Sequence, residues 1–352
     1  MKIAHFVFNL QVDGGVMMAI MLANQQSLKE EVRLYVLDDF IDESIASTIS
    51  PSVKVVFLNR KPGEKKIWRL FCPILKLNVG LLRFKPDIIH LHQPRLSRVL
   101  LWKWRIVHTV HGTDWSAEEH KRMKAIYAVS QIVKDIVKKQ GFESKVIYNG
   151  IKTSAIKPKD VPISSLAANR CYHLVQVARI NIKEKGQDIV IDALRLLKEE
   201  GISNFEMHFV GKEWDIKILE RMTHDYGLDE KVTFEGVWTQ EYLYKHLCDF
   251  DCLIMPSPAL VESFSLATVE AMVAKVPVLV SDIPGPMEVI DRGRYGMVFH
   301  SGDAYDLAEK LKQILQGGYD YSMLECAHHH ACEEFDIEKT AIRYIDEYKK
   351  IM

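Results

Sequence analysis

A chain of 352 residues with 48% hydrophobic content can bury two ordinary domain cores. A net charge of −1 offers no global field for nucleic acid, so no nucleic-acid partner is expected. No uncharged apolar run reaches the roughly 18 residues of a membrane span, so no transmembrane helix is expected. The opening MKIAHFVFNLQVDGG reads as a first strand rather than a signal peptide. Six scattered cysteines without framework spacing suit a reduced, cytoplasmic protein.

Short apolar, β-branched runs alternate with helical patterns along the whole chain. In the first half they predict strands at Ile3–Phe8, Val32–Leu37, Val53–Leu58, Ile88–His90, Arg105–Val110, Ala125–Val129 and Val146–Tyr148. In the second half they predict strands at His173–Val177, Glu206–Val210, Lys231–Phe234, Cys252–Met255, Val278–Val280 and Met297–Phe299. Such alternation implies parallel sheets covered by helices on both faces. This many strands fit two sheets better than one, which makes the chain an α/β protein of two Rossmann-like, doubly wound domains. The break is expected in Lys152 to Arg170, which carries Pro158, Pro162 and small or polar residues. Domains of 1–155 and 156–335 follow. One helical stretch is expected over Glu325 to Ile351, with Phe335, Ile337, Ala341, Ile345 and Tyr348 as apolar markers.

Charge divides unevenly. Residues 1–150 hold 23 Lys+Arg against 14 Asp+Glu, a balance of +9, and the rest hold 23 against 33, a balance of −10. Lys65 to Phe84 reads as a basic amphipathic helix, kinked at Pro73. Ile67, Leu70, Phe71, Ile74, Leu75 and Leu82 fall near one face, and Lys65, Lys66, Arg69, Lys76 and Arg83 near another. With Trp68, and Arg95, Arg98, Trp102, Lys103 and Trp104 beyond, it suits an anionic membrane surface. A core-facing helix with a solvated basic side fits the same pattern. Cys326-Ala-His328-His329-His330-Ala-Cys332 has the residue types of a metal site. It lies in a helical stretch where neighbouring side chains diverge, so no metal site is expected.

The most informative segment is Val261-Glu262-Ser263-Phe264-Ser265-Leu266-Ala267-Thr268-Val269-Glu270. The strand Cys252–Met255 is stopped by Pro256-Ser257-Pro258, and Ala267 to Lys275 reads as a helix. Glu262 then lies in the loop and Glu270 about a turn inside the helix. A helix start presents unpaired N–H groups and a positive dipole end to an anion. Two flanking carboxylates can accept hydrogen bonds from sugar hydroxyls. The pattern outlines a nucleotide-sugar site.

Four further segments stand in order with this one: MKIAHFVFNLQVDGG, KPDIIHLHQ at Lys85 to Gln93, AVSQIVKDIVKKQGFESKVIYNGI at Ala128 to Ile151, and VARINIKEKGQDIVIDAL at Val177 to Leu194. With ESFSLATVEAMVAKVPVLVSDIPGPMEVI, they resemble the retaining GT-B glycosyltransferases of glycosyltransferase family 4, from residue 1 to the C-terminus. The resemblance implies two Rossmann-like domains facing across a cleft, with the last helix, 336–352, packing back on the N-terminal domain. It implies transfer of a sugar from a nucleoside diphosphate sugar, UDP favoured and GDP second, to an acceptor hydroxyl with retention. The acceptor would be a glycan or lipid-linked, in polysaccharide, lipopolysaccharide or glycolipid synthesis. The enzyme would work in the cytoplasm, at or near the inner face of the membrane. No cofactor and no metal are implied; the nucleotide sugar is a co-substrate.

Site residues follow from the motifs. Arg179 after one strand and Lys185 before Gly186 offer two cations to a diphosphate, where the leaving group gathers charge. Lys183 is the rival for the lysine role. Glu270 would accept from the ribose hydroxyls and Glu262 would face the transferred sugar. Phe264, Ser265 and Leu266 would turn backbone N–H groups to the phosphates. Val237 and Trp238 stand where the family holds the base, although Trp238 could equally be a packing residue. Gly14 and Gly15, placed before the first helix, would let backbone approach a ligand. His111 would bond the sugar's primary hydroxyl or move a proton, with His90 and His92 as weaker acceptor-side candidates. The chain departs from the family at Val16-Met17-Met18, where a basic residue is common, and at Ser265, where glycine is common. A GT-B nucleotide-sugar epimerase and a non-catalytic two-domain ligand-binding protein are the alternatives.

Overall fold

The computed structural model describes residues 1–11, 13–61, 67–101, 103–112, 117–160, 170–212, 214–258 and 262–352, with the backbone alone at 67–71 and 117–119. Lys65, Lys66, Trp102, Val261 and Pro162 lie outside the described residues, and so do the side chains of Ile67, Trp68, Arg69, Leu70 and Phe71. The chain divides into two compact units, Met1–Lys152 with Phe335–Met352, and Thr153–Glu334.

The first unit is built on strands β1 (Lys2–Val7), β2 (Glu31–Asp38), β3 (Lys54–Arg60), β4 (Ile88–Leu91), β5 (Ile106–Val110), β6 (Ala125–Ala128) and β7 (Lys145–Val146). They form one sheet in the order β3-β2-β1-β4-β5-β6-β7, every pair parallel. The second unit holds β8 (Tyr172–Val177), β9 (Phe205–Val210), β10 (Val232–Gly236), β11 (Cys252–Met255), β12 (Val278–Ser281) and β13 (Met297–Phe299). Their order is β10-β9-β8-β11-β12-β13, again all parallel. Each sheet thus reverses direction once, beside β1 in one unit and beside β8 in the other. Ligands of such sheets bind beyond the carboxyl ends of the strands at that reversal.

The thirteen predicted strands are all present, with ends shifted by a residue or two. Their runs are apolar because both faces of a parallel sheet are covered. β11 and β12 are buried at every position. One core packs Ile3, Val7, Leu34, Ile88 and Val107 under the helices Gly14–Gln26 and Ile337–Ile351. Another packs Leu174, Phe205, Met207, Ile254 and Leu279 against the helices Gln187–Glu199 and Ala304–Leu315.

Helix boundaries differ from expectation in several places. The C-terminal stretch is two helices, Ser322–Glu334 and Ile337–Ile351, because the Asp336 carboxylate accepts the Glu338 N–H at 2.8 Å and starts a new one. The break also lets Ile151 N–H donate to Phe335 O (2.8 Å) and Ile337 N–H donate to Ile151 O (2.9 Å), which ties the last helix to the first unit. Gly14 and Gly15 do not precede the first helix; they open it, because Asp13 is its N-cap. The basic helix runs over Ile67–Phe84, through Pro73. Its buried face is Leu77, Leu81 and Phe84, whereas Leu75 (64% exposed), Val79 (37%) and Leu82 (40%) stand outward. Leu75 and Leu82 therefore do not share the core face with which the sequence pattern groups them.

Candidate functional site

In the second unit the loops after β8 and β11 meet. The loop after β8 begins at Ala178 and Arg179, then a short helix Ile182–Lys185 forms, capped at its start by Asn181. Gly186 ends it in the left-handed region, φ 64°, and a Cβ there would lie 2.4 Å from Pro256 O in the loop after β11. Only glycine lets the two loops touch at this point. Gln187 and Gln176, both buried, hold the turn from beneath: Gln187 Nε2 donates to Arg179 O at 2.9 Å and Gln176 Nε2 donates to Lys185 O at 2.7 Å.

This arrangement brings Lys185 to Glu262. The ammonium donates to the carboxylate across the two loops, and both side chains are largely buried, at 19% and 16% exposure. Arg179 is more open. Its guanidinium pairs with Glu184 at 3.1 Å and lies over the Trp214 ring, 5.3 Å from the centroid. Lys183 is exposed and takes no part in this cluster. The Glu262 loop is pressed on its other side by the helix Pro284–Val289, where a Cβ on Gly285 would come 2.2 Å from Glu262 O.

The helix carrying Glu270 covers Leu266–Val273, shorter than Ala267 to Lys275, because Lys275 turns left-handed at φ 56°. Ser265 is its N-cap. The Ser265 Oγ accepts from Thr268 N–H at 3.3 Å and from the Thr268 hydroxyl at 2.7 Å. The serine thus serves the helix start first, and its own hydroxyl proton is the group it can offer a ligand. The first N–H groups of the helix, at Leu266 and Ala267, precede any intrahelical acceptor. Glu270, one turn in, is 9% exposed. Burial pushes its carboxyl up to about 7, against the hydrogen bond it accepts from the Tyr244 hydroxyl. Tyr244 is positioned in turn by Gln240, whose Nε2 donates to its oxygen at 3.0 Å. Val237 is 57% exposed after β10. Trp238 packs edge-on to Tyr242 (4.8 Å between centroids) and tilted against Phe250 (6.0 Å), so its ring has intramolecular partners.

The first unit has its own polar centre at the carboxyl ends of β1, β4 and β5. Asp13 Oδ1 accepts from Gly15 N–H at 2.9 Å and Val16 N–H at 3.3 Å, so these two amides are already used by the cap. A Cβ on Gly15 would sit 3.4 Å from the His111 ring. His111 Nε2 lies 2.9 Å from His92 Nδ1, and burial lowers His111 to about 4, with Asp13 pulling the other way. His90 and His92 are buried beside it.

The structure therefore joins Lys185 to Glu262 and sets Gly15 against His111. Tyr244, Gly285, Asp13, His5 and Gln26 complete these centres, and sequence reasoning passed them over. Asp13 carried a usable signal, an acidic residue just before a helix start. Tyr244 carried none. By proximity, His5, His90 and His92, or His173, Glu206 and His208, could hold a metal among the described residues. Neither group contains Arg179, Lys185, Glu262 or Glu270.

Two family models match the chain. The model for glycosyl transferases group 1 matches residues 164–328, and that for Glycosyltransferase Family 4 matches residues 13–155. The chain belongs to the GT-B glycosyltransferases. The amylovoran biosynthesis glycosyltransferase AmsK of Erwinia amylovora is 27% identical over 243 residues, 64% of this chain and 59% of that protein. A 41.2 kDa protein from the cps region of Klebsiella pneumoniae is 26% identical over 85% of this chain and 86% of its own length. Anabaena Alr3699/HepE, solved in complex with UDP and glucose, superimposes with a TM-score of 0.83 at 19% identity, covering 99% of this chain and 100% of that one.

Proposed function

We propose that this chain transfers a hexosyl group from a nucleoside diphosphate sugar to an acceptor hydroxyl, with retention at the anomeric carbon and without a metal. The observation that carries the reading is the Lys185–Glu262 pair, set one helix start away from the buried Glu270. Arg179 and Lys185 supply positive charge where the leaving diphosphate gains it, which is the task a metal would otherwise perform. The first amides of the Leu266–Val273 helix add donors for phosphate oxygens. Glu270 accepts from the ribose hydroxyls and Glu262 from the transferred sugar. The bond from the anomeric carbon to the diphosphate oxygen breaks, a bond to the acceptor oxygen forms on the same face, and the acceptor proton passes to the leaving diphosphate.

UDP-sugars are the favoured donors because Alr3699/HepE was solved with UDP and glucose; GDP-sugars come second. The relatives from amylovoran synthesis and a cps region favour a polysaccharide, lipopolysaccharide or glycolipid acceptor made at the cytoplasmic face of a membrane. A membrane-side role draws further support from Leu75, Val79 and Leu82, which form an outward apolar stripe at helical spacing beside the exposed Lys76 and Arg83. No helix among the described residues is long and apolar enough to cross a membrane.

A thermal-shift screen of UDP-, GDP- and ADP-sugars with and without EDTA tests the donor reading, since a ligand of the folded state raises its stability. A strict need for magnesium or manganese would sink the metal-free clamp. The anomeric configuration of the product, read by NMR, decides retention. Co-sedimentation with vesicles containing phosphatidylglycerol should fall when Leu75 and Leu82 become Ser; unchanged binding would remove the membrane reading.

A further inference from the structure

The second unit carries metal-ligating side chains apart from the donor loops. In β8 and β9 the alternate residues Tyr172, Leu174, Phe205, Met207 and Phe209 belong to the apolar core. The residues between them point to the other face of the sheet. That face carries His173 on β8, and Glu206 and His208 on β9. A covered parallel sheet ordinarily reads as a continuous apolar run, so three polar side chains there call for partners.

His173 is paired with Glu206 in the strand register, and His208 follows two residues on. His173 Nδ1 lies 3.5 Å from Glu206 Oε2, and the His173 and His208 rings are 5.7 Å apart between centroids. One ligand atom from each of the three lies within 4.8 Å of the other two. Small side-chain rotations close that spacing onto an ion held at about 2.0–2.2 Å by nitrogen and carboxylate donors. Glu206 also interacts with the thiol of Cys171, a further zinc-type donor two residues before His173.

The His208 ring is supported as a metal ligand is. Its Nδ1 lies 2.8 Å from Glu235 Oε1 on β10, and the Phe250 ring packs edge-on to it at 5.3 Å between centroids. A carboxylate only accepts, so Nδ1 carries the proton and Nε2 is the nitrogen left for a ligand. That Nε2 is buried and has no hydrogen-bond partner among the described residues. A buried ring nitrogen without a partner is rare. A carboxylate on one nitrogen and a metal on the other is the usual setting of a ligating histidine. An ion can reach the site past His173 and Glu206, whose side chains are 44% and 42% exposed, to end on His208 at 17%.

The histidines of the first unit differ in this respect. His5 Nε2 lies 2.7 Å from Gln26 Oε1 and His5 Nδ1 lies 3.1 Å from His92 Nε2. His90 has Nε2 at 2.7 Å from the Thr109 hydroxyl and Nδ1 at 2.6 Å from the Tyr348 hydroxyl. Their nitrogens already have partners, and no ion is called for.

We propose that His173, Glu206 and His208 bind a divalent transition metal ion of the zinc class, with Glu235 holding the His208 ring so that Nε2 is the ligand. Two imidazoles and one carboxylate select such an ion over magnesium or calcium, which take oxygen donors. Three protein ligands leave a fourth position for water. The ion clasps β8 to β9. His173 and Glu206 stand at the amino ends of these strands, whereas Arg179 and Lys185 follow the carboxyl end of β8. The ion therefore acts on stability and takes no part in the donor clamp.

Metal titration of the full chain after chelator treatment tests the site. Zinc at about 100 times its Kd should raise Tm by roughly 5–10 °C, and magnesium should leave it unchanged. The double variant His173→Gln, Glu206→Gln changes two half-exposed side chains and should lose the zinc shift. Glu235→Gln keeps all three ligands and should weaken zinc affinity about 10- to 100-fold. Absence of a zinc shift in the wild type would overturn the proposal, and so would an equal shift with magnesium. A zinc shift that survives the double variant would place the ion elsewhere and overturn it as well. Unchanged zinc affinity in Glu235→Gln would remove Glu235 from the site.

Discussion

The Lys185 ammonium is bonded to the Glu262 carboxylate across the loops that follow β8 and β11. Each charge neutralises the other, so neither is stranded in a partly dry site. A diphosphate that engages Lys185 competes with Glu262 for it, and a sugar that engages Glu262 competes with Lys185. With the proposed donor bound here, one ion pair would couple its two halves.

That coupling gives opposite expectations for its two members. Lys185→Ala should weaken binding of the bare nucleoside diphosphate about 10- to 100-fold, the worth of a charge-assisted hydrogen bond. Glu262→Gln frees Lys185, so nucleoside diphosphate should bind as well as before or more tightly, while kcat/KM for the intact donor drops. Calorimetry with nucleotide alone and kinetics with donor separate the two. Equal loss of nucleotide affinity in both variants would contradict this division.

Glu270 makes the second unit sensitive to pH. Its carboxyl titrates at about 7 in the fold, from an ordinary 4.5. Between those values the folded state binds more protons than the unfolded chain. The stabilisation is full at low pH and is lost as pH rises through about 7, amounting to about 3 kcal/mol. Glu270→Gln removes the effect, so the variant should gain stability relative to wild type between about pH 5 and about pH 8 in urea melts. With Glu270 in its proposed role, nucleotide binding should weaken about tenfold per pH unit below 7, where the carboxylate is protonated. A pH-independent affinity would show that Glu270 does not meet the ribose.

The histidine centre of the first unit behaves in the opposite sense. His5 titrates at about 4 in the fold, below its ordinary 6.5. As pH falls below 6.5 the unfolded chain takes up the proton first, so the contribution is full above that value and lost towards pH 4. His5→Gln should flatten the acid limb of stability by up to about 1.4 kcal/mol per pH unit. Urea midpoints between about pH 7 and about pH 5 would show it; an unchanged slope would mean that His5 is charged in the fold.

Gly285 tests how closely Glu262 is supported. A Cβ there would lie 2.2 Å from Glu262 O, a contact with a backbone atom that no side-chain rotation relieves. Gly285→Ala should cost about 1–3 kcal/mol of stability, the range for overpacking. It should also lower kcat/KM for the donor more than it lowers nucleotide affinity, because it displaces the Glu262 loop. Wild-type stability and activity in this variant would refute the tight contact.

Much of the fold was legible because it depends on local patterns. Runs such as Cys252–Met255 and Val278–Ser281 are apolar throughout because a parallel sheet is covered on both sides. The spacing of Glu262 and Glu270 placed one on a loop and the other one turn into a helix. The ends of elements were less legible. Helical periodicity continues through Phe335 and Asp336, and only the pairing of Ile151 with that segment makes the aspartate a cap. Leu75 and Leu82 match an apolar face by spacing, yet the helix turns Leu77, Leu81 and Phe84 inward because those are the residues that meet the sheet core. The tertiary structure alone decided which distant groups meet. Lys185 stands 77 residues from Glu262, and His5 stands 87 from His92. Spacing along a chain encodes which face a residue shares with its neighbours, but a bond between strands is set by the order in which the strands stack, and that order exists only once the sheet has formed.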